Sequence, residues 1–132
     1  MKTLDTGKLG IATDQNGNPY VIFEPVNGTV WIQKSELPEL FGVYQQTINA
    51  CLDSIFRTKA FCPEEVSKYD LVVRGNTVRH DMQLFRLEVI IALAFRLHSP
   101  NAEILRQWVV SRILKSELAN FSLSDIQNYS LN

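Results

Sequence analysis

Residues 33–56, QKSELPELFGVYQQTINACLDSIF, decide how this chain is read. Leu37, Leu40 and Phe41 recur at helical spacing, Gly42 stands where a helix must stop, and Val43, Ile48, Cys51 and Leu52 resume the period. Two short helices around one tight turn follow, which is the helix-turn-helix pattern. Gly42 suits the turn because a residue without Cβ takes positive φ at no steric cost. Val43 and Ile48 then hold the second helix against Leu37 and Phe41. Pro38 is tolerated with Ser35 as N-cap, because it falls in the first turn, where a backbone amide has no intrahelical partner. Tyr44 occupies the second helix's capping position without the usual Ser or Thr hydroxyl. The outward face near that helix's N-terminus holds Tyr44, Gln45, Gln46, Thr47, Asn49 and Ala50. In this motif such residues meet base edges in the major groove, and Gln or Asn can bond an adenine edge bidentately. The other reading of the same pattern is a helical hairpin whose Gln-rich face is simply solvated.

Upstream, residues 11–13 and 20–23 are strand-like and flank an Asn16-Gly17 turn signal; a second, Asn27-Gly28, leads into residues 29–32. The pattern predicts a three-stranded antiparallel β-meander running into the first helix, with Trp31 packed beneath it. Downstream, residues 63–65 read as a helical start or a turn. Residues 69–73 and 77–82 then form a second hairpin, in the position of the wing of a winged helix. Residues 87–98 form an apolar helix, polar only at Glu88, Arg96 and His98, and are expected to be the most buried element. Ser99 caps a last helix with Pro100 at its first position, running to about residue 119 with Leu105, Trp108, Val109, Leu114 and Leu118 on its apolar side. The expected fold is α+β and winged-helix-like, one domain over residues 1–119 with a polar tail over residues 120–132.

At 132 residues, 45% hydrophobic and 20% charged, the chain is a single globular domain by size and balance. It contains no apolar run of membrane-spanning length and opens on no signal peptide, so a cytoplasmic location with no membrane contact is expected. Cys51 and Cys62 are expected to be buried free thiols, since no Cys-x-x-Cys or Cys/His cluster accompanies them. His80 and His98 stand alone, and the adjacent Glu64 and Glu65 point apart. No nucleotide-binding loop, nucleophile elbow or metal-ligand spacing occurs, so no catalytic residue, metal site or cofactor is assigned and the chain is not expected to be an enzyme.

The net charge of −1 opposes a purely electrostatic grip on DNA, but the charge is unevenly distributed. Residues 1–73 carry six Lys/Arg against nine Asp/Glu, whereas residues 74–115 carry seven against three. The seven are Arg74, Arg79, Arg86, Arg96, Arg106, Arg112 and Lys115; they are either phosphate contacts or a solvated face with ion pairs to Glu88 and Glu103. Lys34, Arg57, Lys59, Arg74 and Arg79 are the expected phosphate-contacting residues, with Arg74 at the tip of the second hairpin.

The runs Thr29-Val30-Trp31-Ile32-Gln33, Glu39-Leu40-Phe41-Gly42-Val43 and Thr47-Ile48 resemble the start of the RhuM-like virulence proteins. The resemblance continues through Leu87-Glu88-Val89-Ile90-Ile91, Phe95-Arg96-Leu97 and Arg106-Gln107-Trp108-Val109, in the same order, and covers residues 9–118. It implies a bacterial protein of mobile elements or pathogenicity islands, similar also to the N-terminal modules of phage antirepressors. The family commonly has Ser and basic residues where this chain has Tyr44, Gln45 and Gln46. The expected function is sequence-specific recognition of double-stranded DNA by a homodimer, as a transcriptional regulator of a mobile element or virulence-associated locus. The last helix and tail are the expected dimer or protein-partner surface. The alternative is a protein-interaction module that keeps the helix-turn-helix fold without DNA binding.

Overall fold

A computed structural model describes residues 6–75 and 77–120, and their side chains except at 70–74, 77–82 and 118–120. The fold is α+β, with two antiparallel sheets and five α-helices among the described residues. Strands β1 (Lys8–Thr13) and β2 (Pro19–Glu24) form a hairpin. The Asp14 carboxylate organises its turn, accepting hydrogen bonds from the amides of Asn16 at 2.8 Å and Asn18 at 2.9 Å. Leu9, Ile11, Val21 and Phe23 lay the hairpin's apolar face on the core.

The expected meander stops after these two strands. Asn27 and Gly28 do turn the chain, both at positive φ, and Val26 and Thr29 exchange two backbone hydrogen bonds across them. Strand β3 (Trp31–Gln33) then leaves β2 and pairs with β5 (Thr77–Arg86), which also pairs with β4 (Ser67–Arg74), giving the order β3-β5-β4. Pro25 gives the physical reason: it has no amide to continue the β2 ladder beyond Glu24. Strand β5 is longer than the sequence pattern indicates and brings Phe85 opposite Ile32, both buried in the core.

This pairing changes the role of Trp31. Val30 and Ile32 are the buried residues of the segment, so Trp31 faces away from the core, half-buried, with the Lys68 ammonium 4.4 Å from its ring centroid. It does not pack beneath the first helix as expected.

A 3₁₀ turn (Lys34–Glu36) runs into α1 (Leu37–Phe41), Gly42 reverses the chain at φ 66°, and α2 (Gln45–Arg57) follows. The N-cap of α1 is Glu36 rather than Ser35, whose hydroxyl lies 3.4 Å from Gln33 Oε1, yet Pro38 still falls in the first turn. Leu37, Phe41, Ile48, Leu52 and Ile55 are all buried in one core. A strand, the two helices of the turn, a third one-turn helix and a returning hairpin whose second strand pairs with the first give a connectivity like that of a winged helix. After α3 (Pro63–Val66) and the β4–β5 hairpin, α4 (Leu87–Ala94) buries Val89, Ile90, Leu93 and Ala94. It ends four residues before the expected stop, where Arg106 donates from Nη1 to the carbonyls of Ala94 at 2.7 Å and Leu97 at 2.8 Å. Those carbonyls thereby gain the partner that a helix end lacks.

The last helix, α5 (Pro100–Asn120), starts as its sequence indicates: Ser99 Oγ accepts the Ala102 amide at 3.1 Å and Pro100 takes the first position. Its apolar side is shorter than expected. Ala102 and Leu105 are buried and Trp108 and Val109 half-buried, but Leu114 is 57% exposed. Nine residues beyond Leu105 is two and a half turns, which carries Leu114 to the opposite side of the helix. The thiols also differ from expectation: Cys51 is half-buried and Cys62 exposed.

Candidate nucleic-acid interface

Helix α2 stands with its inner edge, Ile48, Leu52 and Ile55, in the core and its outer edge in solvent. The exposed stripe is Gln46, Ala50, Asp53 and Arg57, at the spacing of successive helical turns, flanked at its start by Tyr44, which is 84% exposed, and Thr47. Three of the five expected base-facing residues, Tyr44, Gln46 and Thr47, therefore come together at the helix N-terminus. Gln45 and Asn49 do not share that freedom. Both are half-buried on one flank, and Gln45 Nε2 donates to Asn49 Oδ1 at 3.1 Å. A bidentate adenine contact needs both the oxygen and the nitrogen of a single carboxamide. The pair has half of each occupied, and Gln46 keeps both ends of its amide free among the described contacts.

Tyr44 caps α2 without a side-chain hydrogen bond, as its sequence indicates, while its carbonyl accepts from the amides of Thr47 at 3.0 Å and Ile48 at 3.2 Å. The amides of Gln45 and Gln46, which have no partner among the described contacts, are the open donors at the positive end of the helix dipole.

The expected phosphate contacts separate into three groups. Arg57 and Lys59 are exposed at the C-terminal end of α2, about 20 Å along the helix from Tyr44. Lys34 is half-buried in the 3₁₀ turn ahead of α1. Arg74 and Arg79 belong to the backbone of the β4–β5 hairpin, close to its Gly75 turn, but their side chains lie outside those described, as does that of His80.

Two residues that motif spacing left aside define the electrostatics. Arg96, just past α4, is exposed, and its Nη1 donates to Ser54 Oγ on α2 at 3.1 Å, which places a cation beside the helix. Its contact spans 42 residues, so no local pattern could reveal it. Asp53 lies in the exposed stripe itself, where a carboxylate would oppose phosphate; the helical period from Gln46 would have found it. Three of the remaining basic residues of the second half have local contacts. Arg86 lies 3.6 Å from the Glu88 carboxylate, Arg106 holds the end of α4 rather than Glu103, and Arg112 lies within cation–π range of the Phe23 and Trp108 rings.

Beside α1, Glu36 and Glu39 border a notch with Leu9, Ile11, Ile32 and Asn101. Burial, and after it the charge of Glu39, holds the Glu36 carboxyl above its ordinary value. The folded chain therefore keeps a proton there that the unfolded chain has released. That contribution to stability is full below the ordinary carboxylate range and is lost as pH rises through the raised value. Glu36→Gln is expected to flatten this part of the pH–stability profile and to raise stability at pH 7 by no more than about 0.5 kcal/mol, because the group is still partly solvated. Urea unfolding of both proteins between pH 4 and 7 measures it, and parallel profiles would refute the assignment.

Both thiols are held above their ordinary value. Burial raises Cys51, partly offset by the charge of Arg96, and Cys62 is raised by donating to Glu64 Oε2 at 2.9 Å. Among the described residues no three His, Cys, Asp or Glu side chains could hold a metal ion, and no helix is long and apolar enough to cross a membrane. No protein-family model, curated protein or solved structure matches the chain.

Proposed function

We propose that this domain reads double-stranded DNA through the N-terminal half of α2 and serves as a sequence-specific, non-enzymatic regulator. The observation that carries the reading is the exposed cluster of Tyr44, Gln46 and Thr47 on a helix held by a winged-helix arrangement. Gln46 supplies the base contact, Thr47 and Tyr44 border it, and the open amides of α2 receive a phosphate. Arg57, Lys59 and Arg96 are the cations about the far end of the helix, and Arg74 and Arg79 are placed by the hairpin backbone near its tip. The RhuM-like resemblance supplies the setting: a regulator of a mobile element or virulence-associated locus, working in the cytoplasm. No cofactor is needed for such a role.

Repeated selection of random duplex DNA by the purified protein, at low and at physiological salt, tests the reading. An enriched motif is expected. Gln46→Ala is then expected to cost about 1–3 kcal/mol on that site, a weakening of roughly 5- to 150-fold, with its thermal unfolding unchanged. Gln45→Ala is expected to cost less, since its amide is already engaged with Asn49. Equal losses in both variants, or none, would remove Gln46 from the reading face.

One unit makes few base contacts, and a dimer on two half-sites supplies the rest. The surface we assign to a second copy of the chain is the outer face of α5, where Val110, Ile113 and Leu114 are exposed at helical spacing along a segment, residues 110–117, that is exposed throughout. Leu114→Glu with Ile113→Glu is expected to convert a dimer to a monomer in sedimentation equilibrium and to weaken binding to a palindromic site at least tenfold. A wild-type monomer at 100 micromolar would dispose of this surface as a homodimer contact.

The second reading, an interaction module that does not bind DNA, is favoured by Asp53 in the middle of the outer stripe of α2. It predicts no retention of the protein on duplex DNA even at low salt, and copurification with a protein partner through α5 and the tail.

A further inference from the structure

A groove of about 910 Å³, lined by no residue of α2, lies between the start of β2 and the second half of α5. We propose that it binds a nucleotide unit, with the phosphate on Arg112 and Lys115 and the base against Tyr20. This goes beyond the DNA-reading function of α2 and does not rest on it. Asn101 Nδ2, in the first turn of α5, donates to the Leu40 carbonyl of α1 at 3.0 Å. Arg112 is eleven residues further on, roughly 16 Å down the helix axis from that contact.

Three features of the groove point to this ligand. Its charge is of one sign: Arg112 and Lys115 line it, no Asp or Glu does, and neither cation makes an ion pair among the described residues. In a chain of net charge −1 this is a local surplus that draws anions. Secondly, the Arg112 head is positioned in advance. Its guanidinium carbon lies 5.9 Å from the Phe23 ring centroid and 5.6 Å from that of Trp108, and these rings meet edge to face at 5.1 Å. The rings hold the guanidinium by cation–π attraction, and with no ion pair among the described residues its N–H groups are free for an oxyanion. Lys115 follows at i+3, close enough to share one phosphate group, and the hydroxyls of Ser111 and Ser116 add donors in the same groove. Thirdly, Tyr20 lines the groove from β2 and is 48% exposed, an aromatic face open to a base.

The floor of the groove runs from Ile104 to Ser116, about 18 Å of helix. A free mononucleotide and a short single strand present the same pairing of base and phosphate, and both fit this length.

Titration of the full chain by tryptophan fluorescence tests the proposal, since Trp108 lines the groove and Trp31 in β3 gives a constant background. The probes are adenosine monophosphate, inorganic phosphate and hexathymidylate, at low salt. Saturable quenching by the nucleotide or the oligonucleotide is expected, at lower concentration than for inorganic phosphate. Tighter binding of hexathymidylate identifies a strand as the source, and equal or tighter binding of the mononucleotide identifies the free nucleotide; either supports the site. Lys115→Glu, an exposed position, and Arg112→Gln are each expected to weaken binding at least tenfold, with Lys115→Glu deciding should Arg112→Gln fail to fold. Tyr20→Ser is expected to weaken nucleotide but not phosphate binding. No saturation by either nucleotide probe at millimolar concentration overturns the proposal, as does unaltered affinity in Lys115→Glu. Phosphate binding as tight as nucleotide binding, with Tyr20→Ser neutral, also overturns it. Gln46→Ala should leave these titrations unchanged; a loss there would move the binding to α2.

Discussion

Arg106→Met is expected to lower the stability of the domain by about 3 kcal/mol, from hydrogen bonds to a charged donor that contribute roughly 1.5–3 kcal/mol each. One guanidinium nitrogen serves both the Ala94 and Leu97 carbonyls, so the two losses do not simply add. Both residues are buried, so water replaces the lost donor poorly, and methionine fills the volume without supplying an N–H. The end of α4 would then loosen beneath α5, against which it packs. Arg106→Lys is expected to recover part of the loss, since an ammonium reaches one carbonyl but lacks the planar fork. Urea unfolding with an unchanged m-value measures the effect. A loss under about 0.5 kcal/mol would mean that the carbonyls find water or another donor and that the arginine's position is incidental.

Arg106 also shows where sequence reading succeeds and where it stops. The turn at Gly42, the cap at Ser99, the tolerated Pro38 and the Asn27-Gly28 turn were legible because each depends on backbone geometry within a few residues. The partner of β3 was not legible. Proximity along the chain favours β2, and the choice of β5 follows from a missing amide at Pro25 and from Phe85 finding Ile32 more than fifty residues away. The inward side of Trp31 was misassigned for the same reason, since strand alternation fixes its face only once the partner strand is known. On α5 the error was one of phase. Leu114 looks periodic with Leu105 by residue type, yet 100° per residue turns it outward. The exposure of Tyr44, Gln46 and Thr47 at the start of α2 could be read from the motif alone. The engagement of Gln45 by Asn49 needed side-chain geometry, and the approach of Arg96 to Ser54 needed the tertiary fold.

Asp53→Arg is expected to strengthen binding to the selected duplex by about tenfold at 0.1 M salt and to steepen the dependence of log K on log salt by about 0.9, the contribution of one added phosphate contact. Asp53 sits between Ala50 and Arg57 on the outer stripe of α2, two turns beyond Gln46, where on the proposed reading the groove wall passes the helix. Its carboxylate is exposed and outside the core, so exchanging its charge leaves the packing of Ile48, Leu52 and Ile55 intact. On the proposed reading the wild-type residue limits non-specific affinity: a net-neutral helix would discriminate by base contacts because phosphate attraction alone cannot retain it. The gain should therefore be larger on random DNA than on the selected site, which narrows the specificity ratio. The same substitution separates the two functional readings. A module that meets only proteins gains no salt-dependent DNA retention from one arginine beyond what the same change at an unrelated exposed acid, Glu103, supplies. If Asp53→Arg and Glu103→Arg raise affinity equally, α2 does not face the duplex, and the helix-turn-helix geometry serves a protein partner instead.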